Sequence, residues 1–317
     1  MNEKSTIYWS ALTKYEGCPQ NFLWSYGWGN IDLGNGPGES KTVPVRRSSH
    51  HALMGIVTQQ VLENMYNEEL YRDPKNLSKN LLDMVEREWL RHSQKPRNWI
   101  DVREAGMSEE EMVQVCRDGV LGYLKTMKAH KFIGPYAKSE VKLIGWINKW
   151  LSVGGKADFI IRRDDTGLTI LDGKNTKHKL GGVDPDQLRW YAMVFKLAYR
   201  QPVDRIGFVW YRFPYGTERL NPETEALEIE QGVEWVPFTD EDLRGLALRA
   251  QEARDGMRKE KFEPTPTPKG CEYCDFLSVC EARQAQRAAN SRGPRAKPEG
   301  IEELPSTGGF VDLTVDG

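Results

Sequence analysis

Asp172-Gly-Lys174, with Asp158 upstream and Gln187 and Tyr191 downstream, is the set of residues in this chain best suited to chemistry. Residues two apart on a strand point the same way, so Asp172 and Lys174 share a face. An antiparallel neighbour beginning near Asp158 can bring a second carboxylate to that face. Two carboxylates suit Mg²⁺ or Mn²⁺, hard ions that prefer oxygen ligands. Such an ion polarises a phosphodiester and lowers the pKa of bound water. An ammonium at Lys174 can orient the water or offset charge developing on the phosphate. The chemistry would be metal-assisted phosphodiester hydrolysis. The tripeptide alone could as well be a polar turn at a strand end. Its context raises it: Gly154-Gly155 permits close backbone approach, and Glu140 could add a carboxylate. Gln187 and Tyr191, four apart, share a helix face. Gln187 also has capping-box spacing from Asp184, and Tyr191 could be core.

Cysteines form the second candidate. Cys271, Cys274 and Cys280 lie in one short segment, and Cys18 can supply a fourth thiolate from the other end of the chain. Four thiolates suit tetrahedral zinc or a [4Fe–4S] cluster, and spacing does not decide between them. Either would clamp the two ends of the chain together, so that binding contributes to folding. Cys116, inside a helical pattern, reads as a packing residue.

The elements that must hold these residues follow from periodicity. A short helix is expected from Ser10 towards the Gly-Cys18-Pro stop, then a Gly/Pro-rich loop over 29–44. Helical spacing continues over 52–131, with a capping box at Ser108. Strands are expected at 141–144, 151–153 and 157–163, then at 168–174 after an Asp-Asp-Thr-Gly turn that makes a hairpin. Asp184 as N-cap and Pro185 at the first position open a helix to Tyr199. A strand over 206–213 and a helix over 240–259 follow. Beyond Arg283 the composition predicts a disordered tail. The pattern is an α/β fold: a mixed central sheet flanked by helices, preceded by a helical region.

The ordered motifs resemble a known family. Gly155-x-x-Asp158, Asp172-Gly-Lys174 and Gln187-x-x-x-Tyr191 resemble motifs of the RecB-like PD-(D/E)xK nucleases. Ser10-x-Leu-x-x-Tyr-x-x-Cys18-Pro-x-x-Phe22 and Cys271-x-x-Cys274-x5-Cys280 resemble the cysteine motifs of their iron–sulfur branch. The set is similar to the CRISPR-associated Cas-four exonuclease family and the AddB nuclease domain. The resemblance implies a restriction-endonuclease-like core and one nuclease domain over 1–283. Within it, 52–131 would be a helical insertion, 140–213 the catalytic core and 271–280 the cluster segment. It further implies an iron–sulfur cluster on Cys18, Cys271, Cys274 and Cys280, Mg²⁺ or Mn²⁺ on Asp158 and Asp172, and 5′-to-3′ exonuclease activity. The family has a metal-binding His in a Gly-x-x-x-His-x-x-Leu-Glu pattern. Here Gly55-Ile-Val-Thr-Gln59-Gln-Val-Leu-Glu63 puts Gln59 at that place, a weaker ligand, with His50 and His51 upstream as alternatives. A DNA-binding or adaptor protein with a weakened metal site is the competing reading.

With 317 residues and net charge −2, the chain is no uniformly basic coat protein, and DNA contacts would have to be local. Candidates for phosphate are Arg46, Arg47, Lys177 and Arg189, with Lys156, Arg162, Arg163 and Lys179. Trp28, Trp146, Trp150 and Trp190 could stack on unpaired bases. The partner expected is single-stranded DNA, with a recombination or replication protein docking on the 309–317 segment as a further possibility. No apolar run suits a membrane span or a signal peptide, so a cytoplasmic protein is expected.

Overall fold

The computed structural model describes residues 5–26, 50–95, 106–176, 183–213 and 229–267, and near the C-terminus residues 270, 271, 274, 276 and 280–284. Among them a seven-stranded mixed sheet is sandwiched between two helical layers. In chain order the strands are β1 (Ser5–Tyr8), β2 (Ala137–Asn148), β3 (Leu151–Arg163), β4 (Gly167–Lys174), β5 (Arg205–Trp210), β6 (Ile229–Glu230) and β7 (Val233–Trp235). The helices are α1 (Trp9–Gly17), α2 (Pro19–Tyr26), α3 (His50–Asn67), α4 (Leu77–Ser93), α5 (Glu109–Ala129), α6 (Pro185–Tyr199) and α7 (Asp240–Arg258).

Alternation along the strands sorts the core into two halves. Ile160, Leu168, Ile170, Phe208 and Trp210 pack with Leu188, Trp190 and Val194 of α6 and with Leu246 and Ala250 of α7. The intervening Phe159, Ile161, Leu171, Val209 and Tyr211 pack with α3, α4 and α5 through residues such as Val57, Val85 and Tyr123. Local chemistry sets the helix ends. Ser108 and Glu111 close a capping box on α5, and the Asp184 side chain accepts from the Asp186 amide at the start of α6.

One irregularity positions the site. β2 runs antiparallel along one edge of β3. The other edge is shared: β1 pairs with 151–154 and β4 with 159–163, leaving 155–158 between them without a strand partner on that side. At the same point the strand rolls over. Val153 and Ala157 pack with the α6 layer, whereas Phe159 and Ile161, of the same parity, pack with the α3 layer. On β2, Leu143 and Ala137 divide likewise around Glu140, which lies between them with a left-handed φ of 55°.

Several expectations need adjustment. The N-terminal segment is two helices, broken at Cys18, and a strand precedes them. The expected strands at 151–153 and 157–163 are one strand, β3, and Asp158 sits in its interior rather than at its start. The hairpin of β3 and β4 forms as expected, with Gly167 at φ 70° opening β4 just after its turn. Arg46, Arg47, Lys177, Lys179, Trp28 and the 285–317 segment lie outside the described residues. No helix among the described residues is long and apolar enough to cross a membrane.

Candidate active site

The site forms where β3 parts from β4. The last ladder pair between them is Phe159 with Leu171, so the next residues, Asp158 and Asp172, face each other across the opening split. The Gly173 amide, with no β3 carbonyl to meet there, donates to Asp158 Oδ2 at 2.8 Å. Gly173 admits no side chain. A Cβ would lie 1.7 Å from the Tyr211 hydroxyl oxygen, which comes in from the end of β5.

Asp172 is buried, and α6 braces it. Gln187 Nε2 donates to Asp172 Oδ1 at 3.1 Å and lies 3.1 Å from the Tyr191 hydroxyl oxygen. Lys174 Nζ forms an ion pair with Asp172 Oδ2 and stands 3.4 Å from Gln187 Oε1. That ion pair is off the line of a hydrogen bond, so the buried Oδ2 has a counter-charge but no aligned donor. The capping-box alternative for Gln187 is not realised, because its side chain reaches into the split instead.

A second cluster meets the first from the α3 side. Gln59 Nε2 donates to Glu140 Oε1 at 2.7 Å, and the Tyr211 hydroxyl donates to Gln59 Oε1 at 2.9 Å. The carboxylate can only accept, so it sets the orientation of the amide. Gln59 thus bridges Tyr211 and Glu140, and its oxygen is already engaged. Lys156 forms an ion pair with Glu140. Register places Glu140 opposite Asp158. The rings of His50 and His51 meet at a tilt in the first turn of α3, roughly 12 Å along its axis from Gln59.

Electrostatics make this a place short of positive charge. Burial, and next the charge of Asp172, push the Asp158 carboxyl up to about 7 against the pull of the Gly173 amide, Lys174 and Lys156. Burial also raises Asp172, opposed by Lys174. Tyr191 and Tyr211 are raised by burial and by these carboxylates. Sequence reasoning passed over Tyr211, which no motif marks. Its signal is only that it directly follows a buried strand end.

The remaining candidates separate. Trp190 is fully buried and donates to the Gly154 carbonyl, so it packs and does not stack on bases. Arg189 is held by Asp186 and the Pro237 carbonyl, and Arg163 by the His130 and Lys131 carbonyls. Arg162 is engaged by Gln201. Trp146 and Trp150 are exposed. Cys116 is buried in the core, as expected of a packing residue.

Cys18, Cys271, Cys274 and Cys280 all line one cavity of about 440 Å³, bounded by Asn21 and Trp24 of α2 and by Pro264 to Pro266. Burial raises the Cys274 thiol; the Phe276 amide opposes this, and Cys271, Cys18 and Cys280 add to it. Asn21 Nδ2 lies 3.6 Å from Cys274 Sγ, and Thr265 donates to the Gly17 carbonyl, tying the two ends of the chain. Among the described residues, no three His, Cys, Asp or Glu side chains are gathered as a ready-made site for a metal ion.

Comparison with known proteins bears on the whole constellation. No curated protein matches the chain. A solved structure described as "Crystal structure of SSO0001" shares 18% identity, covering 57% of this chain and 80% of its own, at a TM-score of 0.28, which is too low to carry argument. The model of the PD-(D/E)XK nuclease superfamily matches residues 9–281. That span runs from α1 through the split sheet to the last cysteine, and the chain belongs to the PD-(D/E)XK nuclease superfamily.

Proposed function

We propose that this protein is a metal-dependent DNA exonuclease acting on single-stranded or end-frayed DNA. The observation that carries the reading is the meeting of Asp158, Asp172 and Lys174 at the sheet split, braced by Gln187 and Tyr191. The donor set suits a hard divalent ion. Two carboxylates face one another, both raised by burial, and a buried oxygen lacks an aligned donor. Asp158 and Asp172 would hold Mg²⁺ or Mn²⁺, with Glu140 as the further carboxylate. When bound, the ion supplies Lewis acidity towards the phosphate and a lowered pKa for water. Gln187 holds Asp172 and Lys174 in one geometry. Lys174 is left to orient water and to offset negative charge on the phosphate as the bond breaks. The residues do not derive a polarity; similarity to the Cas-four and AddB nucleases favours 5′-to-3′.

The same reading includes an iron–sulfur cluster on Cys18, Cys271, Cys274 and Cys280, which would clamp the two ends of a single nuclease unit over 1–283. The shared cavity supports it. The 309–317 segment would serve as a docking peptide for a recombination or replication protein.

Gln59 favours a second reading, a DNA-binding adaptor with a weak metal site, because its amide oxygen is engaged by Tyr211. One experiment separates the two. Anaerobically purified protein is given end-labelled single-stranded DNA with Mn²⁺ or Mg²⁺, beside Lys174→Ala. Loss of label by the parent and not by the variant supports the exonuclease, and the end lost first gives polarity. No cleavage by protein with a full iron and sulfide content supports the adaptor.

A further inference from the structure

The sheet does not end at the carboxylates. Beyond Glu140 and Asp158, β2 and β3 continue as a two-stranded hairpin, and register puts successive cross-strand pairs on the face that carries Glu140. First come Lys142 and Lys156, then Ile144 and Gly154, then Trp146 and Ser152. The opposite face of the hairpin is covered: Gly145 meets Leu197 and Val194 of α6, and Gly155 meets Tyr191. On the Glu140 face the β2 side is open, whereas on β3 Ser152 is buried and Gly154 lies under the Tyr8 ring. Ile144 is 54% and Trp146 44% exposed, and Lys142 and Lys156 are exposed beside them. Lys142 has no ion pair among the described residues. β1 adds Tyr8 to the same face, its ring lying over Gly154 where a Cβ would come within 2.6 Å.

Lys142 beside the carboxylates, followed by the exposed Trp146 ring and the half-buried Tyr8 ring, supplies the elements of a single-strand binding surface: charge for the backbone and a π-face for a splayed base. Duplex recognition needs no exposed aromatic platform, because paired bases keep their faces stacked. From Glu140 to Trp146 is six residues, roughly 20 Å of strand. That is the length of about six stacked nucleotides at ~3.4 Å each.

We propose that this hairpin face is the track along which single-stranded DNA reaches the carboxylates, Lys142 holding a backbone phosphate and Trp146 stacking a base away from the scissile bond. The proposal rests on the nuclease reading for its direction, but binding can be tested apart from cleavage. Labelled oligothymidylate is titrated by fluorescence anisotropy in EDTA, where no cleavage occurs, with a duplex of equal length alongside. Trp146→Ala is expected to weaken single-strand binding about 5- to 150-fold, and Trp146→Phe to retain most of it. Lys142→Ala should lower the slope of log K against log salt by about 0.7, one phosphate on a single strand. Arg244→Ala, a lost charge on α7, should leave that slope unchanged. Unaltered binding in both Trp146→Ala and Lys142→Ala would overturn the track, even for a parent that cleaves in Mn²⁺. Effects confined to the duplex would overturn it as well. A parent that binds through these residues but never cleaves would support the track and sink the nuclease reading alone.

Discussion

Replacing Asp158 by Asn should make the metal-free protein more stable above neutral pH. The side chain keeps its size, and its oxygen can still accept from the Gly173 amide. What disappears is a charge that the fold disfavours. Burial and the nearby Asp172 push the Asp158 carboxyl from 3.8 up to about 7. A carboxyl raised on folding binds more protons in the native state than in the unfolded one between those two values. Stability is therefore highest below about pH 4, falls as pH rises towards 7, and is level beyond. Three pH units at 1.36 kcal/mol each give about 4 kcal/mol. The residue is only partly covered, and solvent trims this to about 2–4 kcal/mol. Urea unfolding in EDTA at pH 5 and pH 8 reads it directly. About two of those pH units, from 5 to 7, lie between the two conditions, so the parent should lose about 1–3 kcal/mol more than Asp158→Asn between them, and Mn²⁺ should restore the parent at pH 8 but not the variant. Equal pH dependence in the two proteins would refute the argument that Asp158 is held charged at a cost.

Three other outcomes follow from named contacts. Gly173→Ala places a Cβ against the Tyr211 hydroxyl and should cost about 1–3 kcal/mol in urea unfolding, part of it recovered by adding Tyr211→Phe. Gln59→Leu removes the donor that holds Glu140, and Mn²⁺ binding by calorimetry should weaken about tenfold, as for loss of a partner that orients a ligand. Cys116 is fully buried, and burial pushes its thiol up to about 12. Mass spectrometry after alkylation of native protein at pH 8 should find it unmodified until urea is added.

Local chemistry was legible in the sequence, and long-range choices were not. The ends of α6 and the start of α5 are written in Asp184-Pro185 and Ser108-x-x-Glu111, which act within one turn. The β3–β4 hairpin is written in its turn. The expected strands at 151–153 and 157–163, by contrast, stop on either side of Gly154-Gly155. The strand continues through them, because the two faces there are filled by rings from elsewhere, Tyr8 over Gly154 and Tyr191 over Gly155. β1 is four residues long, and among the described residues it pairs with β3, nearly 150 positions away, so no local pattern announces it. Gln59 reads in sequence as a weaker ligand at the family's His position. Its bonds to Glu140 and Tyr211, residues 81 and 152 positions away, are not announced by any local pattern.

The site's location follows from the same long-range choice. A strand that changes partners along one edge leaves peptide groups there without a ladder, and a buried donor without an acceptor costs about 1–3 kcal/mol. Asp158 meets that need by accepting from the Gly173 amide. The carboxylate so recruited lies opposite Asp172, and the roll of β2 and β3 brings Glu140 round from the α3 side. The split in the sheet thus requires a carboxylate for its own backbone and, in supplying one, gathers negative charge that the described residues only partly offset. Lys174 and Lys156 each pair with one carboxylate, leaving Asp158 with only an amide donor and more distant cations. A fold that zipped β3 fully onto β4 would satisfy the same peptides with no carboxylate at all. The split so retained leaves negative charge that either a proton on Asp158 or a cation entering from outside would offset.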